Sequence, residues 1–351
     1  MKLKPVIGRF VIGITALSSI TGNVWSAETG GDFYKGKQVT LINGGAPGTV
    51  YDTYGRILAE YLPKYIPGNP AIVMQFMAGA SGLTAANYVA KQAARDGTVI
   101  AAGISNLPTT PLLSPDAVQF DANKLSWIGS ITKDVFVGFV WYTAPIKTYE
   151  EAKTTEVTMG GTATVGSASF EYAILSNHLF GTKLKLITGY KDTLETKLAI
   201  EKGEVNGTFA NLWSELKVSR PAWIKEQKVR IITQFGFSKL AELPDIPLFI
   251  DQAKTAADRQ ILELLLARQE FAKPYFAPPE VPADRINILR RAFDATLKDP
   301  AFLADLSKAQ LDAEGPMTGE QLAAITSKLL ATPPDVPKRI DAIFSEYRAK
   351  K

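Results

Sequence analysis

Val39-Thr40-Leu41-Ile42-Asn43-Gly44-Gly45-Ala46-Pro47-Gly48-Thr49-Val50-Tyr51-Asp52 is the stretch on which the fold turns. Residues 39–43 are apolar or β-branched and predict a short strand. The glycines and the proline that follow predict a loop, and residues 52–62 carry the apolar spacing of an amphipathic helix. The same order recurs as strand 71–76, loop 77–82 and helix 83–94, then as strand 98–103 with a loop rich in proline and threonine. A longer apolar run at 135–142 is followed by a second series: strand 156–161, helix 167–180, strand 184–188, helix 192–202, and strands 205–209 and 229–234. Strand, loop, helix repeated in this way predicts an α/β protein with a mostly parallel sheet covered on both faces. From about residue 236 the pattern is helical, clearest at 282–298, 300–309 and 318–331. Such short helices must pack on an existing sheet, because alone in water they are marginal. Two α/β lobes place a cleft at the C-terminal ends of their strands, where open α/β sheets bind ligands.

With 351 residues and 46% hydrophobic content, the chain can bury a large core. Charged residues, 21% of the total, are scattered in both signs, which argues against nucleic acid as a partner. Lys2, Lys4 and Arg9 precede an apolar stretch at 10–20 and a small-residue cut at 24–26, the layout of a secretory signal occupying residues 1–26 and cleaved before Ala27. Its apolar part falls well short of the roughly 20 residues that span a bilayer. Removing 1–26 takes away three positive charges and no negative one, which brings the formal +4 to +1. The chain has no cysteine, so disulfides, thiol nucleophiles and a lipid-anchoring cysteine are excluded. A soluble periplasmic protein is expected.

The loops carry a more specific signal. Residues 44–52 resemble the Pro-Gly-Gly-x-x-Asp loop of the tripartite tricarboxylate transporter receptors, also called Bug receptors, with Thr49 in place of one glycine. Residues 76–82 are similar to that family's Asn-x-Pro-Gly-Ala-Gly-Gly, with Phe76 and Ala78 replacing Asn and Pro. Arg95-Asp96-Gly97-Thr98, Leu243-Pro244-Asp245-Ile246-Pro247 and the stretch from Ala277 to Asp299-Pro300 also fit in order and spacing, so the likeness covers about residues 33–330. It implies a type II periplasmic binding protein fold with a central ligand cleft, a discontinuous first lobe of residues 27–135 and 236–351, and a second lobe of 136–235. It also implies a monomeric solute-binding receptor that needs no cofactor. Such a receptor delivers a small organic acid to one large and one small multi-span membrane subunit.

Loops 43–51, 75–84 and 160–169 contain no lysine or arginine. A carboxylate bound there must be met by backbone N–H groups, hydroxyls and helix N-termini, whose first turn offers unpaired donors and about half a positive charge. The expected ligand-binding residues are Pro47, Gly48 and Thr49, then Gly79, Ala80 and Ser81, then Thr162, Thr164 and Ser167. Asn106 follows the third strand, Lys191 is placed to meet a second carboxylate, and Asn211 lines the cleft beside Trp213. The same residue types also serve ordinary βα turns, and Asp52 reads as a helix cap rather than a ligand contact. Catalysis finds little support: the single histidine, His178, lies in a helical stretch, and without cysteine or a second histidine the common triads and metal clusters are unavailable. A protein of no enzymatic activity is expected. A sensor signalling to a membrane kinase, or a periplasmic lyase or hydrolase, are the alternatives.

Overall fold

The computed structural model describes Met1 and residues 30–103, 105–162 and 167–349. The expected leader therefore lies, Met1 aside, outside the described residues, and so does Thr164. Among the described residues no helix is long and apolar enough to cross a membrane.

Among the described residues, eleven strands form two sheets. The first contains β1 (Gln38–Asn43), β2 (Ala71–Phe76), β3 (Val99–Ala102), β4 (Ser126–Ser130), β10 (Pro274–Ala277) and β11 (Met317–Thr318), in the order β11-β4-β10-β3-β1-β2. The second contains β5 (Phe136–Trp141), β6 (Val157–Thr162), β7 (Leu184–Tyr190), β8 (Gly207–Leu212) and β9 (Val229–Phe235), in the order β7-β6-β8-β5-β9. Pairing is parallel except around β10, β11 and β5. Two of these reversed strands, β5 and β10, are the ones that enter a sheet directly after the chain crosses from one lobe to the other.

Numbering only helices of seven residues or more, α1 (Val50–Tyr61), α2 (Leu83–Lys91), α3 (Ala168–Phe180) and α4 (Thr193–Glu201) follow β1, β2, β6 and β7. α5 (Trp213–Ser219) follows β8, and α6 (Ala256–Leu266), α7 (Ala283–Thr296), α8 (Pro300–Lys308), α9 (Gly319–Leu330) and α10 (Asp335–Ala349) complete the chain. α7 and α9 cover β4, whereas α10 packs on α3 and α6. α3 is buried on every side from Ala168 to Ser176, so it has no polar face and its sequence lacks a helical apolar stripe.

The chain returns to the first sheet at residues 269–274, not at 236. After β9, the Gln234 side chain amide donates to the Leu243 and Ile246 carbonyls, and Phe249 enters an aromatic cluster with Phe235, Phe209, Tyr149 and Tyr172. The Tyr172 and Phe235 rings stack at 4.4 Å. Residues 236–266 thus stay with elements around the second sheet, Phe249 in that ring cluster and the Leu265 carbonyl accepting the Tyr172 hydroxyl at 3.2 Å.

A second anchoring point lies at the start of α8, where Asp299 caps the Ala301 N–H (2.9 Å) and accepts from Lys64 (2.8 Å) and Tyr65 (2.9 Å). The Lys64 hydrogen bond, with that from the Ala301 N–H, holds the Asp299 carboxyl down at about 2. A carboxylate with a depressed folded pKa stabilises fully above its unfolded value of about 3.9, and this contribution is lost as pH falls through about 2. Asp299→Asn should therefore lower the denaturation midpoint at pH 7, and the gap to the parent should close between about pH 4 and pH 2. A gap that stays constant across that range would show that Asp299 is not the titrating group.

Candidate functional site

β1 hands its chain to α1 through a loop held by Asn43. That side chain is buried; its Oδ1 accepts the Gly45 N–H (2.8 Å) and its Nδ2 donates to the Tyr51 carbonyl (3.0 Å). Gly45 is required here, since a Cβ would lie 2.7 Å from the Tyr51 Cβ. The helix begins at Val50, two residues earlier than the sequence pattern predicts, with Thr49 as its extended N-cap residue. Asp52, at the third helical position, reaches back to accept the Gly48 N–H (2.8 Å) and pairs with Arg56 (2.7 Å). It therefore ties down the loop before the helix rather than capping a helical N–H, since no side chain caps this start.

This geometry changes which donors are free. The Gly48 N–H goes to Asp52, and the Thr49 N–H and hydroxyl both go to the Ala46 carbonyl (3.3 and 2.7 Å). Pro47 is exposed and has no N–H to give. Among the described residues, the N–H groups of this loop and helix start left without an acceptor are those of Ala46, Val50 and Tyr51, and the last two lie in the first turn of α1. At the second loop, Gly79 (φ +145°), Ala80 (φ +45°) and Gly82 (φ +82°) all take left-handed or glycine-type backbone angles. The Gly82 N–H closes a turn on the Gly79 carbonyl (2.9 Å), and the N–H groups of Ala80 and Ser81 have no acceptor among the described residues. The two loops touch: a Cβ on Gly44 would meet the Gly82 Cα at 3.5 Å.

In the second lobe, α3 starts after Ser167, whose side chain makes no capping bond. It joins a hydroxyl chain instead, bonded tightly to Thr162 Oγ1 and at 3.0 Å to Ser169 Oγ, which accepts the Thr162 N–H at 3.4 Å. Ser167's carbonyl takes the N–H groups of Phe170 and Glu171, leaving those of Ala168 and Ser169 without an acceptor among the described residues. Asn106 is buried in the turn after β3, its carbonyl accepting from Thr109 and Thr110. Asn211 is buried on β8 with its Nδ2 on the Leu212 carbonyl (2.8 Å), and Trp213 Nε1 donates to Glu242 (2.6 Å). Lys191 is exposed, its N–H is taken by Glu195 (2.5 Å), and no described contact joins it to the other loops.

The sequence reading missed the charges beneath the loops. Arg268 is fully buried, with Nη2 on Glu171 in the first turn of α3 and Nε on the Leu265 carbonyl (3.0 Å). Lys273, also buried, bonds Asp134 (2.9 Å) and lies 5.0 Å from the Tyr51 ring centroid. Burial would lower both cations' pKa values, but Glu171 holds Arg268 above its usual range and Asp134 does the same for Lys273. Tyr51 in the first turn of α1 thus covers the Lys273 ammonium, while Glu171 in the first turn of α3 holds Arg268. α1 and α5 also touch across the lobes. Each buried cation is matched by a buried anion, and the two pairs place no net charge under the loops. The usable signal was Arg268 and Lys273 as the only cations in the largely apolar run 261–277, and Glu171 as the only acidic residue in α3.

Breaking one half of the Arg268–Glu171 pair leaves an uncompensated buried charge, a loss of about 3–5 kcal/mol. Glu171→Gln should show this as a lower denaturant midpoint, and Glu171→Leu with Arg268→Met together should recover much of it. A Glu171→Gln midpoint equal to the parent's would remove the pair from the structural explanation.

Comparison with known proteins agrees with this architecture. Residues 55–329 match the model of the tripartite tricarboxylate transporter family receptors. A UPF0065 protein of Bordetella bronchiseptica is 25% identical over 273 residues, 76% of this chain and 75% of that one. Among solved structures, the periplasmic binding protein BugD shares the fold at 19% identity and a TM-score of 0.65, covering 88% of this chain and 98% of BugD. MatC from Rhodopseudomonas palustris, with bound malate, gives 20% and 0.65 over 86% and 99%. An R. palustris protein with adipate gives 18% and 0.66 over 87% and 98%. With the family model spanning well over half its length, the chain belongs to the tripartite tricarboxylate transporter receptor family.

Proposed function

We propose that this protein is a periplasmic receptor that captures a small organic acid between its lobes and passes it to the membrane subunits of a tripartite transporter, one large and one small, without chemical change. It is exported by residues 1–26 and works as a monomer. Its first lobe is residues 27–135 with about 274–330, and its second is 136 to about 271, against which α10 packs. The observation that carries the reading is a set of six N–H groups at three helix starts, of Val50, Tyr51, Ala80, Ser81, Ala168 and Ser169, that find no acceptor among the described residues. Buried or ligand-facing amides need partners, and helix N-termini favour anions. No lysine or arginine lies in those loops, so the acid is read by backbone dipoles, with Thr162 and Ser167 adding hydroxyls. Gly48, Thr49 and Gly79 shape the loops, and Asn106 and Asn211 line the cleft. Lys191 has no part in the site. The malate and adipate bound by relatives support a dicarboxylate as the class to try first.

Two measurements check this. In a thermal-shift panel of malate, adipate, citrate, benzoate and glutamate, at least one acid should raise Tm by several degrees. Ligand at about 100 times its Kd adds roughly 2.7 kcal/mol. Ala168→Pro then removes a single donor at the first helical position, where proline is tolerated and Ser167 already has the extended backbone a proline needs before it. Loss of one charge-assisted hydrogen bond, about 1.5–3 kcal/mol, should weaken the acid roughly tenfold or more. No shift with any acid would contradict the receptor reading, and an unchanged affinity in a folded Ala168→Pro would remove α3 from the grip.

A further inference from the structure

Two stretches of chain cross between the lobes, residues 131–136 and 269–274, and they run side by side. The Ile131 N–H donates to the Lys273 carbonyl (3.2 Å) and the Asp134 N–H to the Gln269 carbonyl (3.4 Å). Gln269 Oε1 takes the Phe136 N–H (3.2 Å), and Ser130 Oγ takes the Lys273 N–H (3.2 Å). Rotation of one lobe against the other must be absorbed in these residues and in the short link from α9, on the first sheet, to α10, which packs on α3.

At their centre lies Asp134, 6% exposed. Its carboxylate accepts a short hydrogen bond from the Ser214 hydroxyl, one from the Val135 N–H (2.9 Å) and one from the Lys273 ammonium (2.9 Å). Ser214 is in the first turn of α5, in the second lobe. The same ammonium sits 5.0 Å from the Tyr51 ring centroid and 5.2 Å from that of Tyr54, both on α1 in the first lobe. Tyr54 is fixed in turn by its hydroxyl on the Asp312 carbonyl (2.8 Å). One carboxylate and one ammonium therefore tie together α1, both crossing stretches and α5. A small cavity of about 50 Å³ opens beside them, walled by Tyr54 and Asp312 on one side and by Trp213 and Lys217 on the other. It marks the seam where the lobes separate.

We propose that Asp134, Lys273 and Ser214 are the positioning residues that latch the two lobes at their present angle, and that Tyr51 connects this latch to the anion site. Tyr51 presents one of the free N–H donors, and its ring covers the Lys273 ammonium. An acid gripping that N–H loads the side chain that packs on the latch, so occupancy and lobe angle are coupled through one residue. This coupling rests on the receptor reading; the latch does not.

The chain has no cysteine, so spin labels at Lys91→Cys and Lys202→Cys, both exposed and in different lobes, are unique. Pulsed electron paramagnetic resonance on the full, ligand-free protein then reads the lobe-to-lobe distance. Ser214→Ala, a small change that leaves the Lys273–Asp134 pair in place, should broaden or shift the distance distribution. Lys273→Met should do so more strongly. Ser219→Ala, in the same helix but bonded to Lys197 (2.8 Å) away from the crossings, should match the parent. The latch is overturned by a parental distribution in folded Ser214→Ala, or by an equal change in Ser219→Ala. If Lys273→Met does not fold, Ser214→Ala decides alone. Since no acid is present, the latch can fail while the receptor reading stands, and the reverse.

Discussion

A helix cannot satisfy its own first N–H groups, and α1, α2 and α3 each open on N–H groups that find no acceptor among the described residues. That constraint shapes the loops before them. Asn43 and Asp52 consume the nearby donors of Gly45 and Gly48, and Ala46 consumes those of Thr49, so what stays open at α1 is confined to Val50 and Tyr51. The same economy holds at Ala80 and Ser81 and at Ala168 and Ser169. Glycines at 45, 79 and 82 are then the residues that allow the backbone to come close or to take the angles these starts need.

Electrostatics follows from the same arrangement. α3 is buried all round, which puts Glu171 in its first turn where a lone carboxylate could not stay charged. Arg268 answers it from the second crossing, and Asp134 answers Lys273. These pairs fix the crossing stretches against both lobes without adding net charge below the anion loops. In the proposed receptor the grip on an acid would rest on oriented amides, which read the carboxylate and leave the rest of the ligand to the shape of the cleft.

Much of this was legible in the sequence. The strand, loop, helix series named the strands of the second sheet and three of the six in the first, and the absence of lysine and arginine from the loops pointed to backbone donors. β10 escaped because Pro274–Ala277 is four residues long and buried on both faces, so no alternation shows. β4 escaped for a related reason: Ser126–Ser130 contains a glycine that is there because a Cβ on Gly129 would lie 2.5 Å from the Phe293 ring. Missing β10 moved the second crossing to 236. The free donors were misplaced by two residues because the start of α1 is set by Asp52 reaching back to Gly48, a contact that depends on the turn's geometry. Lys191 drew notice as a cation after a strand, yet the chain spends that turn on capping α4 with Asp192 and Glu195.

The most direct measurement is amide proton chemical shift in a transverse-relaxation-optimised titration of the ¹⁵N-labelled protein with a dicarboxylate that raises its Tm. Backbone capture predicts large downfield shifts at Val50, Tyr51, Ala80, Ser81, Ala168 and Ser169, where charge-assisted hydrogen bonds form. Shifts confined to lysine- and arginine-bearing surface, with those six amides unmoved, would contradict it.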